Sequence, residues 1–175
     1  MRMNARATLG IGFLGLLFLA TTAYSTFLLS EQIYLIYDTY AHTEDLRLID
    51  ESAYNLCQKI ADNPQVTEGP VYFRVDRGSS MIEDLNVTKF PYEALAVTPV
   101  GLYFYSKTVI LTKQVLNGKY RRYLDVIVAH ELGHIQLRHT QSDQKTEEEA
   151  DRFAAELVGS YRVLEFKMYG GLSLE

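Results

Sequence analysis

Residues 130–134 read His130-Glu131-Leu132-Gly133-His134. On a helix, positions i and i+4 lie about 40° apart, so both imidazoles leave the same side and can share one metal ion. Tetrahedral zinc suits two imidazoles, and Glu131 is placed to accept a proton from water that the metal activates. Tyr123, Val126, Ile127, His130, His134 and Leu137 fall on one stripe at about 100° per residue, which turns both histidines inward. Gly133, at the edge of that stripe, lets another backbone come close. The plainer alternative is a pair of buried neutral histidines held by hydrogen bonds. The helix is expected to start near Lys119, after the Asn117-Gly118 break, and to run to about His139.

Zinc needs a third protein ligand. His139 lies five residues past His134, about 140° round a continuing helix, and cannot reach the same ion unless the helix breaks. The spacing also lacks the glycine of the elongated motif H-E-x-x-H-x-x-G-x-x-H. His42 is read as a surface residue. After a polar loop over 140–145, a second helix is expected from about Thr146 to Tyr161, with Thr146 as N-cap and Glu147, Glu148 and Glu149 near the positive end of its dipole. On a helical wheel Glu147 shares a side with Ala150, Asp151, Ala154, Leu157, Val158 and Tyr161. Glu148 falls beside Arg152, and Glu149 points away from the apolar stripe. Glu147 is therefore the expected third ligand, and Asp151 is aimed to accept the remaining N–H of a ligand histidine.

Upstream, Leu46, Ile49, Ala53, Leu56 and Ile60 are spaced as one apolar helix face that ends at Asn63-Pro64. Val71–Val75 reads as a strand and residues 77–80 as a turn. The runs 94–98, 102–105 and 108–112 read as further strands of a small, mostly antiparallel sheet. Residues 63–93 are expected to hold a lid or a connecting loop. Helix, strands, helix, helix is the order of an α+β domain.

The 175 residues suit one ordinary domain, and 47% hydrophobic against 22% charged excludes wholesale disorder. A net charge of -5 argues against a general nucleic-acid binder. The single cysteine, Cys57, excludes an intramolecular disulfide framework and is expected to be buried rather than reactive.

Between Arg6 and Glu31 there are 24 uncharged positions. As a helix they would span roughly 36 Å, enough for a hydrocarbon core of about 30 Å. Residues 1–30 are thus a transmembrane anchor, contacting the membrane through 8–29, or a cleaved signal segment whose nearest cleavage site is Ala23-Tyr24-Ser25. Arg2 and Arg6 precede the run and Glu31, Asp38, Glu44 and Asp45 follow it, so either reading exports the rest of the chain. The expected products are a single-pass membrane protein with its catalytic domain on the extracytoplasmic side, or a secreted one. Residues 31–62 are read as a helical connector and 63–175 as the zinc-binding domain.

His130-Glu131-Leu132-Gly133-His134, followed by Glu147-Glu148-Glu149-Ala150-Asp151, resembles the gluzincin zinc peptidases, in particular the HtpX-like and CAAX-prenyl-protease group. The similarity covers about residues 95–160, and the ImmA/IrrE family carries a similar run. The resemblance implies a minimal zincin-like domain in which His130, His134 and Glu147 bind one zinc ion. Glu131 would be the general base and Asp151 the residue that orients a ligand histidine. It further implies an endopeptidase acting on an extended or unfolded protein or peptide, held by a strand such as 108–112 or 102–105. Tyr161 and Arg162 are the candidates for a donor to the developing oxyanion. Only 12 residues separate His134 from Glu147, fewer than is usual in the HtpX-like group. The other expectations are a non-catalytic zinc-stabilised scaffold or assembly factor, and an ImmA-like regulatory protease, which requires a cytoplasmic domain.

Overall fold

The computed structural model describes residues 18–27, 29–30, 41–77, 96–97, 107–139 and 143–169. The chain divides into two compact units, residues 1–38 and 39–175. In the first, 18–27 and 29–30 are helical, and Phe18, Leu19, Tyr24, Phe27 and Leu29 are exposed. Its hydroxyls turn back on the helix. Thr22 Oγ1 donates to the Phe18 carbonyl at 2.7 Å and Thr26 Oγ1 to the Thr22 carbonyl at 2.9 Å, which removes polar groups from an otherwise apolar surface. Among the described residues no helix is long and apolar enough to cross a membrane. Residues 1–17 of the expected anchor lie outside the described residues.

The second unit is α+β. Its strands are β1 (Thr43–Asp45), β2 (Tyr72–Asp76), β3 (Ala96–Val97) and β4 (Thr108–Leu111), in the sheet order β1-β2-β4-β3. Its main helices are α1 (Glu51–Ala61), α2 (Leu124–Gln136), α3 (Gln144–Val158) and α4 (Ser160–Tyr169). Two of the three pairings of the sheet are antiparallel, as expected, and the third makes it mixed. β1 and β3 join antiparallel, but the central pair, β2 with β4, is parallel, Tyr72 facing Thr108 and Val75 facing Leu111. A strand flanked on both sides and covered on both faces favours unbroken apolar residues. Val109-Ile110-Leu111 is such a run, and it is buried together with Thr108.

The expected connector is part of this unit. Residues 43–45 form the antiparallel edge strand β1 instead of helix, and Arg74 clasps it, Nε donating to Thr43 Oγ1 at 2.5 Å and Nη2 to the Thr43 carbonyl at 2.9 Å. His42 is half-buried rather than a surface residue, and its carbonyl accepts from the Arg77 amide at 3.0 Å. The single helix expected over 46–62 is broken at Asp50, whose backbone is extended (φ −153°, ψ 92°). Asp50 caps the new helix, accepting from the Ala53 amide at 2.8 Å. The break resets the helical phase. Leu46, Ala53 and Cys57 are buried, while Ile49 and Leu56 face outward. Cys57 is enclosed as expected, and burial pushes its thiol up to about 12.

α2 is the central element. It is preceded by a 3-10 turn over Gly118–Tyr123, so the α-helix starts later than the pattern suggests and stops at Gln136, before His139. The expected stripe is also too narrow. Val128, Ala129 and Leu132 are fully buried beside Val126 and Ile127, whereas Leu137 is exposed, because α1, β3, β4 and α3 all pack on this helix. The segment before β2 is tied to its far end. The Thr67 amide donates to Gln136 Oε1 at 2.8 Å, and Arg138 reaches Glu68 at 2.7 Å. Residues 78–93 of the expected lid or loop lie outside the described residues.

Candidate metal centre

α3 begins at Gln144, not at Thr146. Asp143 is the N-cap and accepts from the Thr146 amide at 2.9 Å, while Thr146 Oγ1 accepts from the Asp143 amide at 2.9 Å, a reciprocal capping box. This cap sets the rotation of the helix. Ala150 and Ala154 become its buried face, against α2. The closest approach is at Gly133, where a methyl group would sit 2.9 Å from the Ala150 Cα and 3.0 Å from its carbonyl oxygen. Glu147 lies three residues before Ala150 and Asp151 one after it, so both project over the two histidines.

The expected trio is assembled. His130 Nε2 lies 3.1 Å from His134 Nε2 and 3.1 Å from Glu147 Oε2, and His134 Nε2 lies 3.6 Å from Glu147 Oε1. Ligands held about 2.0–2.1 Å from a tetrahedral ion stand roughly 3.3–3.4 Å from one another. The two contacts to Glu147 use different carboxylate oxygens, and one ligand atom from each residue lies within 4.8 Å of the other two, close enough for the group to hold one metal ion. His134 is buried at 7% exposure and Glu147 half-open, which leaves the trio enclosed on one side and reachable on the other.

Around the trio stands a shell of carboxylates. Asp151 Oδ1 lies 2.9 Å from His130 Nδ1, as the wheel suggested, and its other oxygen is bonded by Lys167 of α4. Burial resists the charge on Asp151, but His130 and Lys167 outweigh it and hold its carboxyl below the ordinary range. Burial likewise resists a proton on His130. The carboxylates of Asp151 and Glu147, with the charge of Glu131 nearby, overcome it and lift the imidazole to about 10 in the metal-free protein. Glu131 itself is 8% exposed.

Two members of the surroundings escaped the sequence reading. His139 Nδ1 lies 2.9 Å from His134 Nδ1, and His139 Nε2 lies 3.2 Å from Glu149 Oε2. The signal was present only as a condition, that the helix break between His134 and His139. Glu149, expected to point away, also stands 3.9 Å from both Lys145 and Arg152. Arg152 thus pairs with Glu149 rather than with Glu148, which instead accepts from Gln144 at 3.0 Å.

The two suggested oxyanion donors are placed differently. Tyr161 is 77% exposed near the start of α4. Arg162 is committed to structure, donating to Asp125 at 2.8 Å, to Glu165 at 2.8 Å and to the Arg122 carbonyl at 2.6 Å, with its guanidinium over the Tyr123 ring. The strand at 108–112 is flanked by β2 and β3, so it has no edge to offer an extended peptide, and 102–105 lies outside the described residues. No protein-family model matches this chain, and no curated protein or solved structure shows significant similarity to it.

Proposed function

We propose that residues 39–175 are a zinc-dependent endopeptidase domain of zincin-like build, akin to the HtpX-like and CAAX-prenyl-protease group, and that residues 1–30 hold it at a membrane on the exported side. The observation that carries the reading is the convergence of His130, His134 and Glu147, whose ligand atoms lie within 4.8 Å of one another, with a buried glutamate between the histidines in sequence. Zinc bound there would supply Lewis acidity, acidifying water and polarising a carbonyl. Glu131 takes the proton of the attacking water and delivers it to the leaving amine. Asp151 orients His130, and Lys167 steadies Asp151 from the opposite side. Of the two outer strands among the described residues, β1 and β3, it is β3 that packs on α2, so an extended substrate would add along it.

The test compares the wild-type chain with Glu131→Gln by elemental analysis and by turnover of casein or a quenched peptide, with and without a chelator. The expected result is zinc in both proteins, chelator-sensitive turnover in the wild type and loss of at least about a hundredfold in the variant. Zinc without turnover in either protein would reduce the site to a structural one, as in a scaffold or assembly factor. Undiminished turnover in Glu131→Gln would remove the base.

A further inference from the structure

We infer that His139 and Glu149 form a relay that fixes which nitrogen of His134 carries its proton, and thereby presents the other as a bare lone pair for the metal. The inference rests on reading His130, His134 and Glu147 as a metal site. An imidazole ligates only through a nitrogen without a proton, and the hydrogen bond at its other nitrogen decides which one that is. For His130 the group beside Nδ1 is a carboxylate, Asp151, at 2.9 Å.

For His134 the corresponding nitrogen meets another imidazole. Nδ1 of His134 and Nδ1 of His139 are 2.9 Å apart, so one proton lies between them. The far nitrogen of His139 settles its owner. Nε2 of His139 is 3.2 Å from Glu149 Oε2, and an ionised carboxylate only accepts. Lys145 and Arg152 each lie 3.9 Å from the other oxygen of Glu149. His139 therefore donates from Nε2 and accepts at Nδ1, and the shared proton belongs to His134 Nδ1. His134 Nε2 is left bare, facing His130 Nε2 and Glu147. Both ligand histidines are then oriented by carboxylates from α3, one directly and one through His139.

The chain is shaped for this contact. α2 ends in a Schellman turn, with the His139 amide on the His134 carbonyl at 3.1 Å and the Arg138 amide on the Ile135 carbonyl at 3.2 Å. The left-handed position is filled by Arg138 at φ 53° in place of the usual glycine. That conformation costs an L-residue roughly 1–2 kcal/mol, and the paired bonds from Arg138 to Glu68 at 2.9 and 2.7 Å offset part of it. The turn folds His139 back over His134 and leaves its side chain only 6% exposed, away from competing water.

The experiment uses the full chain in detergent, with zinc titration and nitrogen-15 imidazole spectra, on the wild type, His139→Leu, Glu149→Ala and Glu149→Gln. The expected wild-type signature is His134 protonated at Nδ1 and bare at Nε2. Zinc affinity should fall roughly 10–100-fold in His139→Leu and in Glu149→Ala, and recover to within about threefold in Glu149→Gln, whose amide oxygen still accepts. Should His139→Leu fail to fold, the Glu149 pair still decides. Affinity within about twofold of wild type in both truncations, or a wild-type His134 protonated at Nε2, would overturn the relay while leaving the metal site intact. A wild type that takes no zinc would overturn the metal reading and the relay together.

Discussion

Gly133 of α2 and Ala150 of α3 touch so closely that a methyl group on the glycine would stand 2.9 Å from the Ala150 Cα. Two opposing effects meet here. Inside a free helix, alanine is better than glycine by about 1 kcal/mol. In this contact the added carbon would push against backbone on the facing helix, and overpacking costs about 1–3 kcal/mol. Gly133→Ala is therefore expected to lower unfolding free energy by urea titration. It should also weaken zinc binding, because moving α3 carries Glu147 away from His130. A variant as stable as wild type, with unchanged zinc affinity, would show that the helices separate without moving the ligand.

The pair His130 and His134, and the face of α3 bearing Glu147 and Asp151, were legible because helical geometry is local. An i, i+4 spacing and a wheel position need no knowledge of the rest of the fold. His139 was not legible for the complementary reason. Its position depends on where α2 stops, and the residue that stops it is Arg138, not a glycine. The edge strand β1 and the parallel union of β2 with β4 are set by partners distant in sequence, which a period-2 pattern does not reveal. At Asp50 a single extended residue breaks the expected helix, so that Cys57 is buried where Leu56 was expected, while Leu46, Ala53 and Ile60 of the expected face keep to the core.

Asp50 offers a test of that break. It caps α1 through the Ala53 amide and pairs with Arg121 at 2.7 Å. The amide bond, then the guanidinium, hold its carboxyl below the ordinary value of 3.8. Asp50→Ala is expected to cost about 1–2 kcal/mol near neutral pH. The sign with pH follows from the depressed value. The unfolded chain takes up the proton first, so the stabilisation is present above the ordinary value and is lost as pH falls through the folded one. Denaturant titrations should show wild type and variant converging below about pH 4. A gap that stays constant down to pH 3 would mean that the charge contributes nothing.

Metal loading should release protons. In the metal-free protein the carboxylates around His130 lift it to about 10, so at neutral pH its ring carries an additional proton that a ligand cannot keep. Zinc affinity is then expected to rise about tenfold per pH unit between pH 6 and 8 for each proton displaced. Calorimetry in buffers of different ionisation enthalpy reads the number directly. A release of no protons would mean that His130 is already neutral before the metal arrives, or is not a ligand.

The last expectation concerns Asp151, which stands between a ligand histidine and Lys167. Asp151→Asn keeps an oxygen able to accept from His130 Nδ1 but removes the charge that favours an imidazole donating there. Asp151→Ala removes both, and strands Lys167 with an unanswered charge. Zinc affinity should therefore fall in the order wild type, Asn, Ala, with the alanine variant weaker by roughly 10–100-fold. Replacing Lys167 by Met alongside Asp151→Ala separates the two contributions. If the stranded ammonium is the main penalty, the double variant regains stability in a thermal melt without regaining zinc. If orientation of His130 is the main contribution, neither stability nor affinity changes between the single and the double variant. Equal zinc affinity across all four proteins would mean that α2 alone holds His130 in place, and that the carboxylate on α3 serves the packing of α4 and not the metal.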